Sequence, residues 1–367
     1  MARSPVDTPF LSIDESKMGQ NILEMSGVAA RSGVNLRPHA KTHKIPEIAR
    51  RQVEAGAVGI TVAKVSEAEV MADGGLEDIF IAYPLVTEGK IRRATSLAER
   101  VRLIVAVDSL QGARTMSSVA RTEGVTLEVR LEVDTGLRRT GIPRGKAADL
   151  AVEISGFENL DLTGIYTYRG AVLEDGSPTL DLKRAGHEEG RLIVSVADEI
   201  RERGIDVRDV SPGSTPTARY VAGIEGVTEI RPGTYVFYDA MQAAMGVCSL
   251  DDCAARVTAT VVSRPSPTLA IIDGGSKTFA TDVQPGKEPS NLEGFGHVMG
   301  HPNAVLARLT EEHGMLTVDE DDDLGVGDTV EIIPNHVCST VNLHDRVYLR
   351  SGDVTQTLWV AARGMMK

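Results

Sequence analysis

Three short stretches carry side chains able to do chemistry. The first, Arg37-Pro38-His39-Ala40-Lys41-Thr42-His43-Lys44, concentrates basic and imidazole groups in a chain whose formal net charge is -13. Neighbouring cations and partial burial lower the pKa of a lysine such as Lys41 and free its amine to attack a carbonyl. The usual product is a Schiff base, and pyridoxal phosphate is the common anionic carbonyl cofactor. A solvated basic turn is the alternative. The second stretch, Gly213-Ser214-Thr215-Pro216-Thr217, offers hydroxyls, backbone N–H groups and a glycine that permits close approach, as a phosphate site requires; an ordinary loop has the same composition. The third, Pro334-Asn335-His336-Val337-Cys338, sets an imidazole and a thiol two residues apart, on one face if the strand continues. That pair suits zinc, and two ligands fit an open catalytic site better than a closed structural one. A buried cysteine beside a hydrogen-bonded histidine is the alternative. Glu311-Glu312-His313-Gly314 reads either as a group near the substrate or as an exposed polar turn.

The elements that must position these groups alternate regularly. Strand signals fall at Val34 to Pro38, Gly59 to Val65, Asp78 to Tyr83, Val101 to Val107, Thr126 to Val133, Leu160 to Thr167, Val207 to Val210, and an eighth unit at Glu229 to Tyr235. Helical spacing lies between most of them, including Leu180 to Arg203, and Ser66-Glu67-Ala68-Glu69 has the spacing of a capping box. Eight such units predict a (β/α)8 TIM-like barrel, with the site at the C-terminal ends of the strands. An open doubly wound sheet is disfavoured, because no nucleotide fingerprint follows the first strand. Beyond residue 246, short alternating runs at Ala255 to Ser263, Thr268 to Ile272, Thr329 to Ile333 and Arg346 to Leu349 predict a second, all-β domain over 247–367. The barrel is expected over 15–246, with an N-terminal strand at 8–14 joining the β domain after a disordered start. The acidic run Asp319 to Asp323 reads as a solvated turn.

Bulk properties narrow the function. The negative charge argues against nucleic acid and anionic membranes. The 367 residues contain no apolar run of transmembrane length, and the first residues lack the apolar core of a signal peptide. Three cysteines, Cys248, Cys253 and Cys338, fit a reducing cytoplasm.

Taken together, these stretches resemble the D-threonine aldolase/D-serine dehydratase family, pyridoxal-phosphate enzymes with an alanine-racemase-like barrel. The resemblance follows the family's order over nearly the whole chain. It implies that Lys41 holds the cofactor, that Ser214, Thr215, Gly233 and Thr234 contact its phosphate, and that Arg139 faces its ring. Tyr168 matches an active-site tyrosine, His39 a cofactor-binding position, and His336 and Cys338 a pair that holds a divalent metal, zinc or manganese. A homodimer acting on a small β-hydroxy-D-amino acid is implied. Retro-aldol cleavage to glycine and an aldehyde is favoured narrowly, supported by Thr340-Val341-Asn342-Leu343-His344-Asp345. Dehydration to a 2-keto acid and ammonia is the alternative, supported by Cys338. The family's aldolases lead to an expectation of histidine after Tyr168; here the chain reads Arg169-Gly170-Ala171-Val172-Leu173-Glu174, which leaves Glu174 or metal-bound water as the proton-transfer group. Rival readings are an amino-acid racemase, which needs no metal, a non-catalytic cofactor carrier, and a plain barrel for another phosphate ligand.

Overall fold

A computed structural model describes residues 6–367. Residues 1–5, in the start read as disordered, lie outside the described residues. The chain forms two compact units. One comprises Leu23–Lys41, Ile45–Gly233 and Gly364–Lys367; the other comprises the chain up to Ile22, Thr42–Lys44 and Thr234–Arg363.

The first unit is a closed barrel. Six parallel strands run in order through Ile60–Val62, Asp78–Ile81, Arg102–Val107, Leu127–Asp134, Leu160–Tyr166 and Asp209–Ser211. Glu229–Ile230 pairs in parallel with Asn35–Leu36. Backbone bonds close the ring on both sides of that pair. Thr228 N–H donates to the Val210 carbonyl at 3.0 Å, Val58 N–H to Leu36 at 2.9 Å, and Thr61 N–H to Pro38 at 2.8 Å. The eight strand signals are thus the eight barrel strands. Arg102–Val107 is buried beyond its first residue, as a strand covered on both faces must be.

Helix ends follow local chemistry. Ser109 Oγ accepts Gly112 N–H before Leu110–Glu123, and Gly124 ends that helix in the left-handed region. Asp181 caps Leu182–Glu202 by accepting Arg184 N–H. The capping box read at Ser66 does not form. The helix Val65–Asp73 starts two residues earlier, with Lys64 as its N-cap, so Ser66 lies inside it and its hydroxyl donates to the Lys367 carbonyl at 2.7 Å.

The barrel interior is layered. At the N-terminal ends of the strands, Glu229 sits between Arg37 and Arg130, with Asp78 and Asp209 outside them. Phe80, Ile104, Ala106 and Tyr166 form a buried cluster, and the Arg231 guanidinium lies 5.0 Å from the Tyr166 ring centre. The candidate residues follow the C-terminal ends of the strands.

The second unit is built on an antiparallel sheet. Ala255–Ser266, Leu269–Ile272, Gly314–Thr317, Val305–Leu309, Gly296–Val298 and Thr329–Pro334 pair in a ring, with Thr329–Pro334 returning to Ala255–Ser266. Phe10–Asp14 extends the sheet beside Ala255–Ser266, followed by Arg346–Ser351 in parallel and Val354–Trp359. Three of these ring strands, Gly296–Val298, Val305–Leu309 and Gly314–Thr317, are not among the runs read from the sequence. The unit begins at Thr234 rather than at 247, because the segment after Gly233 is tied to it. Ala254 N–H donates to Phe237 at 2.7 Å, and Met241 N–H to Asn335 at 3.2 Å.

Candidate active site

The candidate residues of the barrel unit follow five different strands. Lys41 lies in the 3-10 turn Ala40–Thr42 after the first strand, Arg139 after Leu127–Asp134, Tyr168 after Leu160–Tyr166, Ser214 and Thr215 after Asp209–Ser211, and Gly233 after Glu229–Ile230. Closure of the barrel gathers them. Lys41 Nζ lies 5.3 Å from the Tyr168 ring centre and Arg139 Cζ 5.2 Å from it, so one aromatic ring attracts both cations through its π face. His39 donates its backbone N–H to Pro232, and its Nδ1 lies 3.4 Å from the Lys41 backbone nitrogen that donates to it. The histidine therefore supports the turn that presents Lys41.

The two loops read as phosphate-binding are joined, since Gly233 N–H donates to Thr215 Oγ1 at 3.2 Å. Gly213 adopts φ +96°, and a Cβ there would sit 3.0 Å from a Val221 methyl, so glycine is required. Ser214 Oγ is 2.9 Å from Thr217 Oγ1, which donates to the buried Glu189 at 3.2 Å. Burial pushes the Glu189 carboxyl up; Arg169 and the surrounding hydrogen bonds act the other way.

The basic stretch does not act as a single cluster. Arg37 is buried and bound to Glu229 at 2.8 Å and Asp78 at 2.5 Å. Burial alone would lower its pKa, but the two carboxylates hold it above the ordinary value. Its charge is matched at the far end of the barrel and does not tune Lys41. His43 and Lys44 are buried in the other unit, where His43 meets Phe237 edge-on and the Lys44 carbonyl accepts Ala362 N–H. A solvated basic turn is equally excluded, since Arg37, Thr42 and His43 are all buried.

The His336–Cys338 geometry differs from the strand expectation. The strand ends at Pro334, and Val337–Leu343 is a helix with His336 at its N-cap, φ -133° and ψ 105°. The two side chains nevertheless interact, because the N-cap residue and the first helical turn bring them together. Burial works against charge on both, yet contact between them and a hydrogen bond to Asp282 raise the imidazole to about 11, and His336 pulls the Cys338 thiol below its ordinary value. His336 Nδ1 lies 2.6 Å from Asp282 Oδ2. Cys338 Sγ lies 3.2 Å from Thr42 Oγ1 and 3.5 Å from Thr234 Oγ1. The Thr234 hydroxyl, read as a phosphate contact, is thus placed beside the cysteine.

Several residues of these sites escape the sequence reading. Asp282 stands in a loop without periodicity. Asp239 caps Ala240–Ala244 through Gln242 N–H and also accepts Val337 N–H at 3.0 Å; no local pattern pairs segments so far apart. Arg169 is buried, donating to the Thr135 and Ala185 carbonyls. The candidate Glu174 instead pairs with Arg144 at the surface. Glu311 and Glu312 pair with Lys277 in an exposed hairpin turn, and Asp322 of the acidic run lies 3.1 Å from His301 Nδ1.

The fold and these sites define an alanine-racemase-like barrel enzyme, and comparison with known proteins agrees. The family model described as alanine racemase, N-terminal domain, matches residues 13–240, and a serine dehydratase domain model matches residues 254–350. D-threonine aldolase of Arthrobacter sp is 31% identical over 99% of this chain and 94% of its own length. D-threo-3-hydroxyaspartate dehydratase of Delftia sp. strain HT23 is 33% identical over 91% of this chain and 92% of its own. The crystal structure of D-threonine aldolase from Filomicrobium marinum superposes with a TM-score of 0.86 at 29% identity, over 99% of this chain and 97% of that one. The Delftia dehydratase does so at 0.89 and 30%, over 97% of each. That enzyme is also known as a histidine-to-alanine and a cysteine-to-alanine mutant at positions two apart, the latter described as metal-free. The chain belongs to the D-threonine aldolase/D-serine dehydratase family, and it is a lyase. Among the described residues, no helix is long and apolar enough to cross a membrane.

Proposed function

We propose that this chain is a pyridoxal-phosphate lyase that dehydrates β-hydroxy-D-amino acids to 2-keto acids and ammonia, with a divalent metal held by His336 and Cys338. The observation that carries the reading is the juxtaposition of the His336 imidazole and the Cys338 thiol at the start of one helix, with His336 held by Asp282. It has the spacing of the two positions altered in the Delftia dehydratase, and a thiolate with an imidazole selects zinc among common divalent ions.

The chain's groups fit both additions. Lys41 supplies the amine, Arg139 a cation for the ring side, and Ser214, Thr215 and Gly233 the joined loops for the phosphate. When bound, pyridoxal phosphate delocalises the electron pair left on the substrate's α-carbon. A zinc ion on His336 and Cys338 supplies Lewis acidity, which makes a hydroxyl oxygen a better leaving group. Lys41 Nζ would take the α-proton, and the Tyr168 ring 5.3 Å away would favour the ammonium so formed. Retro-aldol cleavage is the second reading, favoured by the likeness to the Arthrobacter aldolase over 99% of this chain.

Product analysis separates them. Enzyme loaded with pyridoxal phosphate and zinc is incubated with D-serine, D-threonine or D-threo-3-hydroxyaspartate. Keto acid and ammonia without glycine are expected; glycine with an aldehyde overturns the dehydratase reading, and no product from any of the three overturns the substrate class.

A further inference from the structure

We propose that Asp282 is the positioning residue of the metal site, holding His336 so that Nε2 faces the metal, with Ser339 and Thr340 fixing Asp282 in turn. The inference rests on the metal reading above and goes beyond it by assigning a residue outside the His336–Cys338 pair.

An imidazole offers either nitrogen to a metal, and the partner of the other nitrogen decides which. Here His336 Nδ1 donates to Asp282 Oδ2 at 2.6 Å, so only Nε2 keeps a lone pair for a ligand bond once its proton leaves. The same carboxylate oxygen accepts the Ser339 hydroxyl at 2.9 Å. Asp282 is therefore held by two donors from one short segment, the N-cap and the first turn of Val337–Leu343. The loop carrying it is pinned to that helix. Ala280 N–H donates to Thr340 Oγ1 at 3.3 Å, and that hydroxyl donates to the His336 carbonyl at 2.9 Å. Asn335 Nδ2 ties the same region to the Gly294 carbonyl at 2.6 Å. A side chain about half exposed does not need this many supports for solubility or for the core. They fix the direction of a ring. The two donors of the site are supported differently, the imidazole by a carboxylate and the sulfur by the hydroxyls of Thr42 and Thr234. The carboxylate also makes the imidazole a stronger donor, whereas hydroxyls leave the thiolate its charge.

The test measures zinc affinity of the pyridoxal-phosphate-loaded protein by competition with a chromophoric chelator. Asp282→Ala should weaken zinc by about 10–100-fold, the range for losing such an outer partner. Asp282→Asn keeps an acceptor and should recover part of that loss, and Ser339→Ala should cost less than either. The melting temperature of the zinc-free protein should stay the same across the series, which separates positioning from folding. In zinc-loaded protein, 15N-histidine spectra should show His336 protonated on Nδ1. Equal zinc affinity in parent and Asp282→Ala overturns this inference alone. Zinc bound through Nδ1, or an Asp282→Ala that loses zinc only in step with a lower zinc-free melting temperature, also overturns it. A parent that takes up no zinc overturns the metal reading together with this one.

Discussion

Two buried carboxylates show how the units use charge differently. Glu229, in the barrel, is held well below its ordinary value of 4.5, at about 2. Burial opposes that, but Arg130 at 2.6 Å and Arg37 at 2.8 Å outweigh it. Asp239, in the β unit, is as deeply buried but, among the described residues, takes its hydrogen bonds from the backbone N–H groups of Gln242 and Val337, and burial pushes it up to about 6 although His336 acts the other way. The barrel thus matches every charge in its lower layer, as a structural element must, because an unpaired buried ion costs several kcal/mol. In the β unit His336 is bound to Asp282 and set against Cys338, and in the upper barrel Lys41 and Arg139 lie near one aromatic ring. The lower layer is scaffold; the groups gathered at the strand ends and around Cys338 are the candidates for chemistry.

Substitutions should divide along the same line. The largest effect is expected for Lys41→Ala, which should lower turnover by at least about 10^4-fold and remove the absorbance near ~420 nm of lysine-bound cofactor; retained activity would sink the cofactor assignment. Cys338→Ala should cost about 100-fold or more in turnover and in zinc content while that absorbance stays, and chelation of the parent should match it. If the variant keeps zinc and activity, the metal pair is misassigned.

Glu229→Ala should do the reverse. It strands two buried guanidiniums and should cost about 3–5 kcal/mol of stability, read by urea unfolding, with kcat of the folded fraction nearly unchanged. The pH dependence follows with a defined sign. The unfolded carboxyl titrates near 4.5 and the folded one near 2. The parent therefore holds the full contribution, about 3 kcal/mol, above pH 4.5 and loses it as pH falls toward 2. Glu229→Gln should flatten that part of the curve, and an unchanged acid limb would show that the layer is not what sustains the barrel in acid. The smallest effect is expected for Ser66→Ala, about 1–2 kcal/mol for a hydroxyl that donates to the Lys367 carbonyl and accepts the Lys367 N–H. A loss much above that would mean the segment at Lys367 contributes more to the barrel than these two bonds.

The sequence by itself determined the alternation of strand and helix, because buried parallel strands need unbroken apolar runs such as Leu103 to Val107 and their crossovers need amphipathic helices. It also placed Lys41, Tyr168, Arg139, Ser214, Thr215 and Gly233 at strand ends, where a barrel keeps its chemistry. Tertiary structure decided which charges belong to that chemistry. Arg37 and Lys41 lie four residues apart in one basic stretch, yet Arg37 is neutralised by Glu229 and Asp78 from distant strands. His336 and Cys338 were visible as a pair, but the turn of the chain after Pro334, not strand alternation, brings them together. Asp282 and Asp239 had no signal at all. A hydrogen bond across more than fifty residues leaves no periodicity or spacing, and only the folded chain brings such partners within 3 Å.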